Sequence, residues 1–310
     1  MTEHLAEVHQ RKEPLATLWA SESSIYGRFG YGPATERATM KIDQHFAKLR
    51  QPPDIAGTMR LVDLDEALDV FPQVYERVAR ATPGCYLRSD HWWRNRVLSD
   101  PEIRRHGASA HRRVLHLRDG QPVGYVIYRT RVDRSADTAE LVVVELTGID
   151  AEAQKSLWQY VFSVDLIDTI KYWNQPVDDP LRWWIEEPRR MERHVSDSLW
   201  VRPVDVVACL NQRRYVTAGS IAFRFRDEVC PWNDGQFCLQ VDDEGVGHCQ
   251  PHCGDVELEL TPFTLGAAYL GGHRLRDLAR SGLLSGSNAA LQQADELLAW
   301  DPLPWCQEIF

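Results

Sequence analysis

The stretch from Ser21 to Thr35 is the most informative set of potentially reactive side chains in the sequence. It carries three serine hydroxyls, the phenol of Tyr26 and three glycines that alternate with aromatic or basic residues, directly after an apolar segment. Glycine adopts backbone angles that other residues avoid, so this spacing predicts a short helix that ends at once and turns back. Composition alone favours an ordinary helix C-cap with a bulge.

A second group of reactive residue types is the string from His248 to Cys253, with Cys230 and Cys238 upstream. Thiols and imidazoles at close spacing are zinc ligands in many proteins. The separation here is Cys-x3-Cys with no second paired motif, so a hairpin with chance thiols is the favoured interpretation and we predict no metal site. The sequence offers no serine–histidine–aspartate order, phosphate-loop lysine or HExxH helix.

Three regions are predicted to position these residues. Residues 1–50 contain a helix, a strand at 14–20 and the glycine-rich stretch; Pro52-Pro53 then marks a linker. Residues 55–200 contain a strand at 59–62, a helix at 65–80, a hairpin around Gly120, and strand, helix and strand to about residue 173. Residues 201–310 contain a helix, three strands and three helices. The predicted fold class is α+β.

Composition narrows the function classes. The chain has 310 residues and a formal net charge of −10, which argues against a nucleic-acid binder because phosphate contacts need a cationic face. No apolar run approaches the length of a membrane span, and the N-terminus has no signal-peptide pattern, so we expect a cytoplasmic protein without a membrane partner. Seven widely spaced cysteines fit reduced thiols.

The string Tyr26-Gly27-Arg28-Phe29-Gly30-Tyr31-Gly32 resembles the signature of the Eis (enhanced intracellular survival) family of N-acetyltransferases. The resemblance extends over nearly the whole chain. It implies that residues 1–50 are the C-terminal part of an N-terminal GNAT acetyltransferase domain, residues 55–200 a central GNAT-like domain, and residues 201–310 a sterol-carrier-protein-like domain. It also implies acetyl-CoA as co-substrate and a homohexameric assembly.

The resemblance implies three site residues. In this family the tyrosine that matches Tyr26 is the general acid, the terminal carboxylate, here on Phe310, lies in the active site, and Ser21 falls where acetyl-CoA and substrate are contacted. A phenol with a pKa of about 10 can protonate a thiolate of about 8.5 at little cost. A carboxylate near 3.5 is about 7 units, or about 9 kcal/mol, too weak to deprotonate an alkylammonium directly. We therefore expect the Phe310 carboxylate to anchor a cation and to accept its proton only through water or after desolvation.

Several features depart from the family pattern. Only 25 residues precede Tyr26, so we expect most of the N-terminal acetyltransferase domain, with the Gly-rich loop that cradles the CoA pyrophosphate, to be lacking. Ser23-Ser24 stand where the family often has Gly-Gly, and Ile309 where it has an acidic residue. The expected substrates are primary amines of cationic small molecules such as aminoglycosides, or lysine side chains. The alternative is a catalytically inactive protein that serves as an assembly or apolar-ligand module.

Overall fold

The computed structural model describes residues 1–54 and 57–310. The predicted start of the central domain at residue 55 lies outside the described residues. The α-helices are, in chain order, α1 Thr2–Gln10, α2 Ser23–Tyr26, α3 Leu64–Ala79, α4 Asp90–Trp92, α5 Ala151–Phe162, α6 Leu181–Trp184, α7 Val206–Gln212, α8 Pro262–Ala268, α9 Leu275–Arg280 and α10 Asn288–Leu298.

The strands alternate with these helices and confirm the α+β prediction. In chain order they are β1 Leu15–Trp19, β2 Gly32–Pro33, β3 Glu36–Asp43, β4 Thr58–Leu61, β5 Arg112–Arg118, β6 Gln121–Asp133, β7 Thr138–Gly148, β8 Thr169–Gln175, β9 Glu192–Asp197, β10 Leu199–Pro203, β11 Gly219–Phe225, β12 Gly235–Val241, β13 Gly247–Pro251, β14 Leu258–Leu260 and β15 Ser285–Gly286. The sequence prediction did not include β2, β3, β9, β10, β13 or β15.

The chain forms two compact units. The first comprises Met1–Glu36, Thr82–Gly84 and Asp197–Phe310, and the second comprises Arg37–Ala81 and Cys85–Ser196. The first unit therefore joins the glycine-rich stretch near the start of the chain to the whole C-terminal region. No helix in the described residues has the length and apolar character needed to cross a bilayer.

The first unit is built on two sheets. β10 lies between β1 and β2 and pairs antiparallel with both, with Leu18 opposite Trp200 and Gly32 opposite Val201. The second sheet has the order β13-β12-β11-β14-β15. Its apolar face packs with α7, α8, α9 and α10 around a core that contains Phe223 and Phe225. This core is the main source of apolar stabilisation for the C-terminal region.

The second unit is a seven-stranded sheet in the order β4-β5-β6-β7-β8-β3-β9. Strands β7 and β8 are parallel, with Glu140 opposite Thr169 and Val143 opposite Tyr172. Side chains alternate across the sheet, so Val126 packs with Trp158 of α5 while Tyr125 packs with Phe71 of α3. The two helices thus cover opposite faces, and both cores are filled by aromatic and branched side chains.

His111 of the second unit predicts an acid-sensitive contribution to stability. Burial, reinforced by the adjacent Arg129, lowers its pKa from 6.5 to about 4, against the opposing attraction of Asp100. Between these two values the unfolded chain binds a proton that the folded protein does not, so stability falls as pH falls. Urea unfolding at pH about 7.5 and about 5 measures how much the free energy of unfolding falls over this range. We expect the fall to be about 2 kcal/mol smaller in His111→Gln than in the parent protein. Equal losses for both proteins would contradict this assignment.

Candidate active site

Tyr26 is the last residue of α2, a single helical turn that begins four residues after β1 ends. Ser21, in the connection between β1 and α2, brings its Oγ to 3.5 Å from the Tyr26 Oη. This separation is longer than a strong O–H···O bond, and either hydroxyl can be the donor. Ser21 is exposed and Tyr26 half-buried. The structure therefore brings together two of the three sequence-predicted site residues.

A second phenol, that of Tyr31, lies beside the Tyr26 phenol but is buried. The Tyr31 ring packs edge-on against the Tyr26 ring, with centroids 6.3 Å apart and an interplanar angle of 76°. Tyr31 is 2% exposed, and this burial raises its pKa to about 12 although Arg202 acts in the opposite direction. Tyr31 stays neutral at physiological pH and supports the Tyr26 ring, which leaves Tyr26 as the accessible phenol of the pair.

Glycines let the chain turn sharply after Tyr26 and approach α8. Gly30 adopts a left-handed conformation with a φ of 85° and caps the short 3₁₀ turn Gly27–Phe29. A Cβ at Gly32 would lie 2.1 Å from the Phe263 carbonyl oxygen and 2.5 Å from the Ala267 nitrogen, both in α8. Only a residue without a side chain permits this contact. The glycine-rich string is therefore a docking segment for the C-terminal region as well as a turn.

Gly32→Ala tests that docking. The added methyl group would push α8 away from β2, so we expect a loss of about 3 kcal/mol in the free energy of unfolding. Gly27→Ala is the matched control: its Cβ would meet the Phe263 ring at 3.6 Å, an ordinary contact, and its φ of −57° suits alanine. We expect this control to change stability by less than about 1 kcal/mol in chemical denaturation. Similar losses in both variants would refute the close-packing argument.

A buried ion pair that the sequence interpretation missed lies directly behind the turn. Arg202 of β10 is fully buried and donates from Nη2 to both oxygens of Asp227, at 2.7 and 2.9 Å. Its Nε donates to the Phe29 carbonyl oxygen at 3.2 Å. The available signal was a charged residue inside the apolar run from Leu199 to Val204.

The C-terminal segment packs against the short stretch Thr82–Gly84, which belongs to the same unit. Trp305 donates its backbone N–H to Pro83 at 2.9 Å. Its carbonyl oxygen lies close to Gly84, which also faces Thr35. Residues 305–308 are buried, and the terminal Phe310 is 53% exposed. The tail is thus fixed as far as Glu308 while the residue that bears the terminal carboxylate reaches solvent. Its approach to Tyr26 remains a prediction.

In the second unit, two carboxylates lie at the N-terminus of α5, the helix that follows β7. Asp150 caps α5 by accepting from the Ala153 N–H at 2.8 Å, and Glu152, in the first turn, accepts from the Asp54 N–H. Arg118 pairs with the Asp150 carboxylate. Two carboxylates at a helix N-terminus occupy the position where a phosphate would otherwise be favoured. This junction therefore does not suit a pyrophosphate group.

The cysteine–histidine string lies on β13 and the loop after it. Leu239 pairs with Cys249 in the register of β12 and β13, and burial raises the pKa of the Cys249 thiol to about 12. Cys253 is exposed. Within residues 1–54 and 57–310, no group of three histidine, cysteine or acidic side chains has an arrangement that could hold a metal ion.

Comparisons with known proteins agree with this architecture. Residues 1–34 and 84–203 match acetyltransferase (GNAT) domain families, and residues 206–307 match a sterol carrier protein domain family. An uncharacterized N-acetyltransferase of Streptomyces avermitilis is 36% identical over 309 residues, which is 98% of this chain and 75% of the relative.

Two further relatives carry the family name. The N-acetyltransferase Eis of Mycobacterium bovis is 32% identical over 295 residues, 92% of this chain and 70% of that protein. The crystal structure of Eis1 from Mycobacterium abscessus superposes with a TM-score of 0.85 at 30% identity, covering 100% of this chain and 76% of that structure. The chain belongs to the Eis family of GNAT-type N-acetyltransferases.

Proposed function

We propose that this N-acetyltransferase, in a protein that also carries the N-terminal segment with the CoA-cradling loop, moves the acetyl group of acetyl-CoA to a primary amine of a cationic small molecule, such as an aminoglycoside, or of a lysine side chain. Tyr26 is the general acid and Ser21 a contact on the acetyl-CoA side. The observation that carries the proposal is the half-exposed Tyr26 phenol, 3.5 Å from the Ser21 hydroxyl and backed by the buried Tyr31 ring. A formal net charge of −10 favours the approach of cationic substrates.

The proposed reaction begins when the neutral amine nitrogen attacks the thioester carbonyl carbon. A C–N bond forms, and the carbonyl electron pair moves to oxygen in a tetrahedral intermediate. When this intermediate collapses, the C–S bond breaks and the sulfur takes the phenolic proton of Tyr26. The phenolate then recovers a proton from the solvent-facing side, so the enzyme returns to its starting state. The acid needs only a small driving force because the pKa values of a phenol and a thiol are close.

The Phe310 carboxylate has a separate role in the proposal. It attracts the ammonium form of the substrate. Once water has been displaced, desolvation raises the pKa of a carboxyl group and lowers that of an ammonium group, so the two values come closer together. The substrate nitrogen loses one proton before it attacks and a second after the C–N bond has formed, and both leave to solvent through a water molecule beside the carboxylate. The burial of residues 305–308 supports this role, because a fixed tail presents its terminal residue at a defined place.

We also propose a homo-oligomer, a hexamer by resemblance to the family. Exposed apolar side chains such as Ile103 and Leu166, at 85% and 93% exposure, are available for contacts between subunits. Mass measurement in solution at micromolar concentration tests this: a single species at six chain masses is expected, and a monomer at every concentration would reject it.

The experiment for the proposed activity follows thiol release from acetyl-CoA with a panel of amines. A polyamine, an aminoglycoside and a lysine peptide are compared with a neutral primary amine of similar size. We expect turnover with at least one cationic amine, with the acetylated nitrogen identified by mass spectrometry. Equal rates with neutral and cationic amines would remove the electrostatic part of the proposal. Calorimetry with acetyl-CoA separates two causes of absent thiol release: no binding favours the non-catalytic alternative, and binding without release contradicts the proposed chemistry.

A further inference from the structure

The guanidinium of Arg202 spans two regions that are far apart in the sequence. Its Nε donates to the carbonyl oxygen of Phe29, which is three residues after Tyr26, at 3.2 Å. Its Nη2 donates to both oxygens of Asp227, and Nη1 donates to the Pro203 carbonyl oxygen. All of these atoms belong to the first unit. The Tyr26 turn is therefore tied to the C-terminal region by one rigid, planar group.

Asp227 is itself held by a network that leaves it little freedom. Its Oδ1 accepts the backbone N–H of Cys230 at 2.9 Å, and its Oδ2 accepts the side-chain N–H of Asn233 at 2.9 Å. Asn233 also donates to the Val204 carbonyl oxygen and accepts the Val206 N–H. Asp227 and Asn233 are 4% and 2% exposed. A buried network whose members are all satisfied is rigid, so the guanidinium is held in one orientation.

The turn also rests on α8. The Phe263 ring lies against Gly27, and a Cβ at Gly30 would come within 2.6 Å of the Pro262 side chain. Trp200 of β10 packs edge-on against the same Phe263 ring, with centroids 6.4 Å apart. The segment that follows Tyr26 therefore contacts both a hydrogen-bonded guanidinium and an apolar helix, and residues after 199 contribute both.

We propose that Arg202, at the end of the residues that match a GNAT domain, is a positioning residue that fixes the Tyr26 turn, and that the sterol-carrier-like region, through Asp227 and Asn233, serves the reaction as a scaffold for the general acid. The inference rests on the proposed role of Tyr26. A carbonyl three residues from the phenol sets the direction of the 3₁₀ turn, and catalysis is sensitive to displacements of about 1 Å in reacting groups. The role does not require the C-terminal region to carry an apolar ligand.

Lysine cannot replace Arg202 in this role. A guanidinium donates in several fixed directions at once, whereas an ammonium is a single point on a flexible stem. Lysine at position 202 would keep the charge beside Asp227 and lose the simultaneous bond to Phe29. Arg202→Lys is therefore expected to release the turn while the buried carboxylate stays compensated.

The test compares Arg202→Lys with Arg213→Lys in the full protein. Arg213 is the matched control because it also donates to backbone carbonyls in the same unit, at Tyr269 and Leu298, and has no bond to the Tyr26 turn. At a temperature where both variants are folded, we expect Arg202→Lys to lower kcat about 10- to 100-fold with nearly unchanged KM values. The Arg213 variant should keep kcat within about threefold.

A second readout does not depend on activity. Amide hydrogen exchange at Gly30 and Tyr31, whose N–H groups close the turn onto Gly27 and Tyr26, should be at least about tenfold faster in Arg202→Lys and unchanged in Arg213→Lys. Unchanged exchange and an unchanged kcat in Arg202→Lys would overturn the inference. If Tyr26→Phe keeps full turnover while exchange responds as expected, the proposed acid role fails and the structural tie to the turn stands.

Discussion

Tyr26→Phe is expected to lower kcat by about 10²- to 10³-fold, which is the usual contribution of a positioned general acid. The substitution removes one hydroxyl from a half-buried ring, and that hydroxyl lies 3.5 Å from the Ser21 Oγ. The ring itself remains against Tyr31, so the free energy of unfolding should change by less than about 0.5 kcal/mol. Steady-state kinetics with acetyl-CoA and the best amine, together with chemical denaturation, measure both quantities.

Tyr31→Phe is the matched control for this prediction. The Tyr31 hydroxyl is buried and makes a weak contact with the Met1 sulfur at 3.9 Å. We expect its removal to leave kcat within about twofold, because the phenol contacts no reacting atom in the proposed mechanism. The solvent deuterium isotope effect on kcat should be smaller in Tyr26→Phe than in Tyr31→Phe. A Tyr26→Phe enzyme with full turnover would eliminate the phenol as the acid.

One glycine appended after Phe310 is expected to lower kcat/KM for a cationic amine by about 10²-fold. The buried run from Trp305 to Glu308 fixes the tail, so an added residue moves the carboxylate by about one residue length, roughly 3.5 Å. A displacement of that size removes a charge from the place where it would meet the ammonium. Parallel kinetics with a neutral amine should show a smaller loss, since that substrate does not need the anchor.

Phe310→Leu separates the carboxylate from the ring. This variant keeps the chain length and the position of the terminal charge while it removes the half-exposed aromatic side chain. We expect kcat/KM to stay within about fivefold of the parent value. If the leucine variant is as impaired as the extended protein, the ring rather than the carboxylate is the functional group. Full activity of the extended protein would remove any role for the terminal charge.

Much of the fold was predictable because local patterns agree with the tertiary structure. The apolar spacing of Phe71, Val74 and Tyr75 predicted α3, whose described bounds are Leu64–Ala79. Strand β3 was missed although Ala38, Met40 and Ile42 alternate with polar residues and are all buried. Arg37, Lys41 and Asp43 alternate with these buried residues, so the strand as a whole has few apolar side chains although the two-residue period of a strand is present.

The candidate site was predictable only in part. The resemblance of the string around Tyr26 to the family signature singled out the phenol, and the structure places the Ser21 hydroxyl 3.5 Å from it. The Arg202–Asp227 pair was not predicted because the two residues are 25 positions apart and lie in different elements. No sequence period reports such a contact. The role of the glycines as docking points for α8 also needed the structure, since Gly32 and Phe263 are remote in the chain.

The most direct test of the account is a crystal structure of the assembled protein with CoA and an amine substrate bound. The proposal predicts that the Tyr26 Oη lies about 3 Å from the thiol sulfur, and that a Phe310 carboxylate, from the same or a neighbouring subunit, lies within one water molecule of the amine nitrogen. A complex in which the phenol and every terminal carboxylate face separate surfaces would contradict the proposed chemistry.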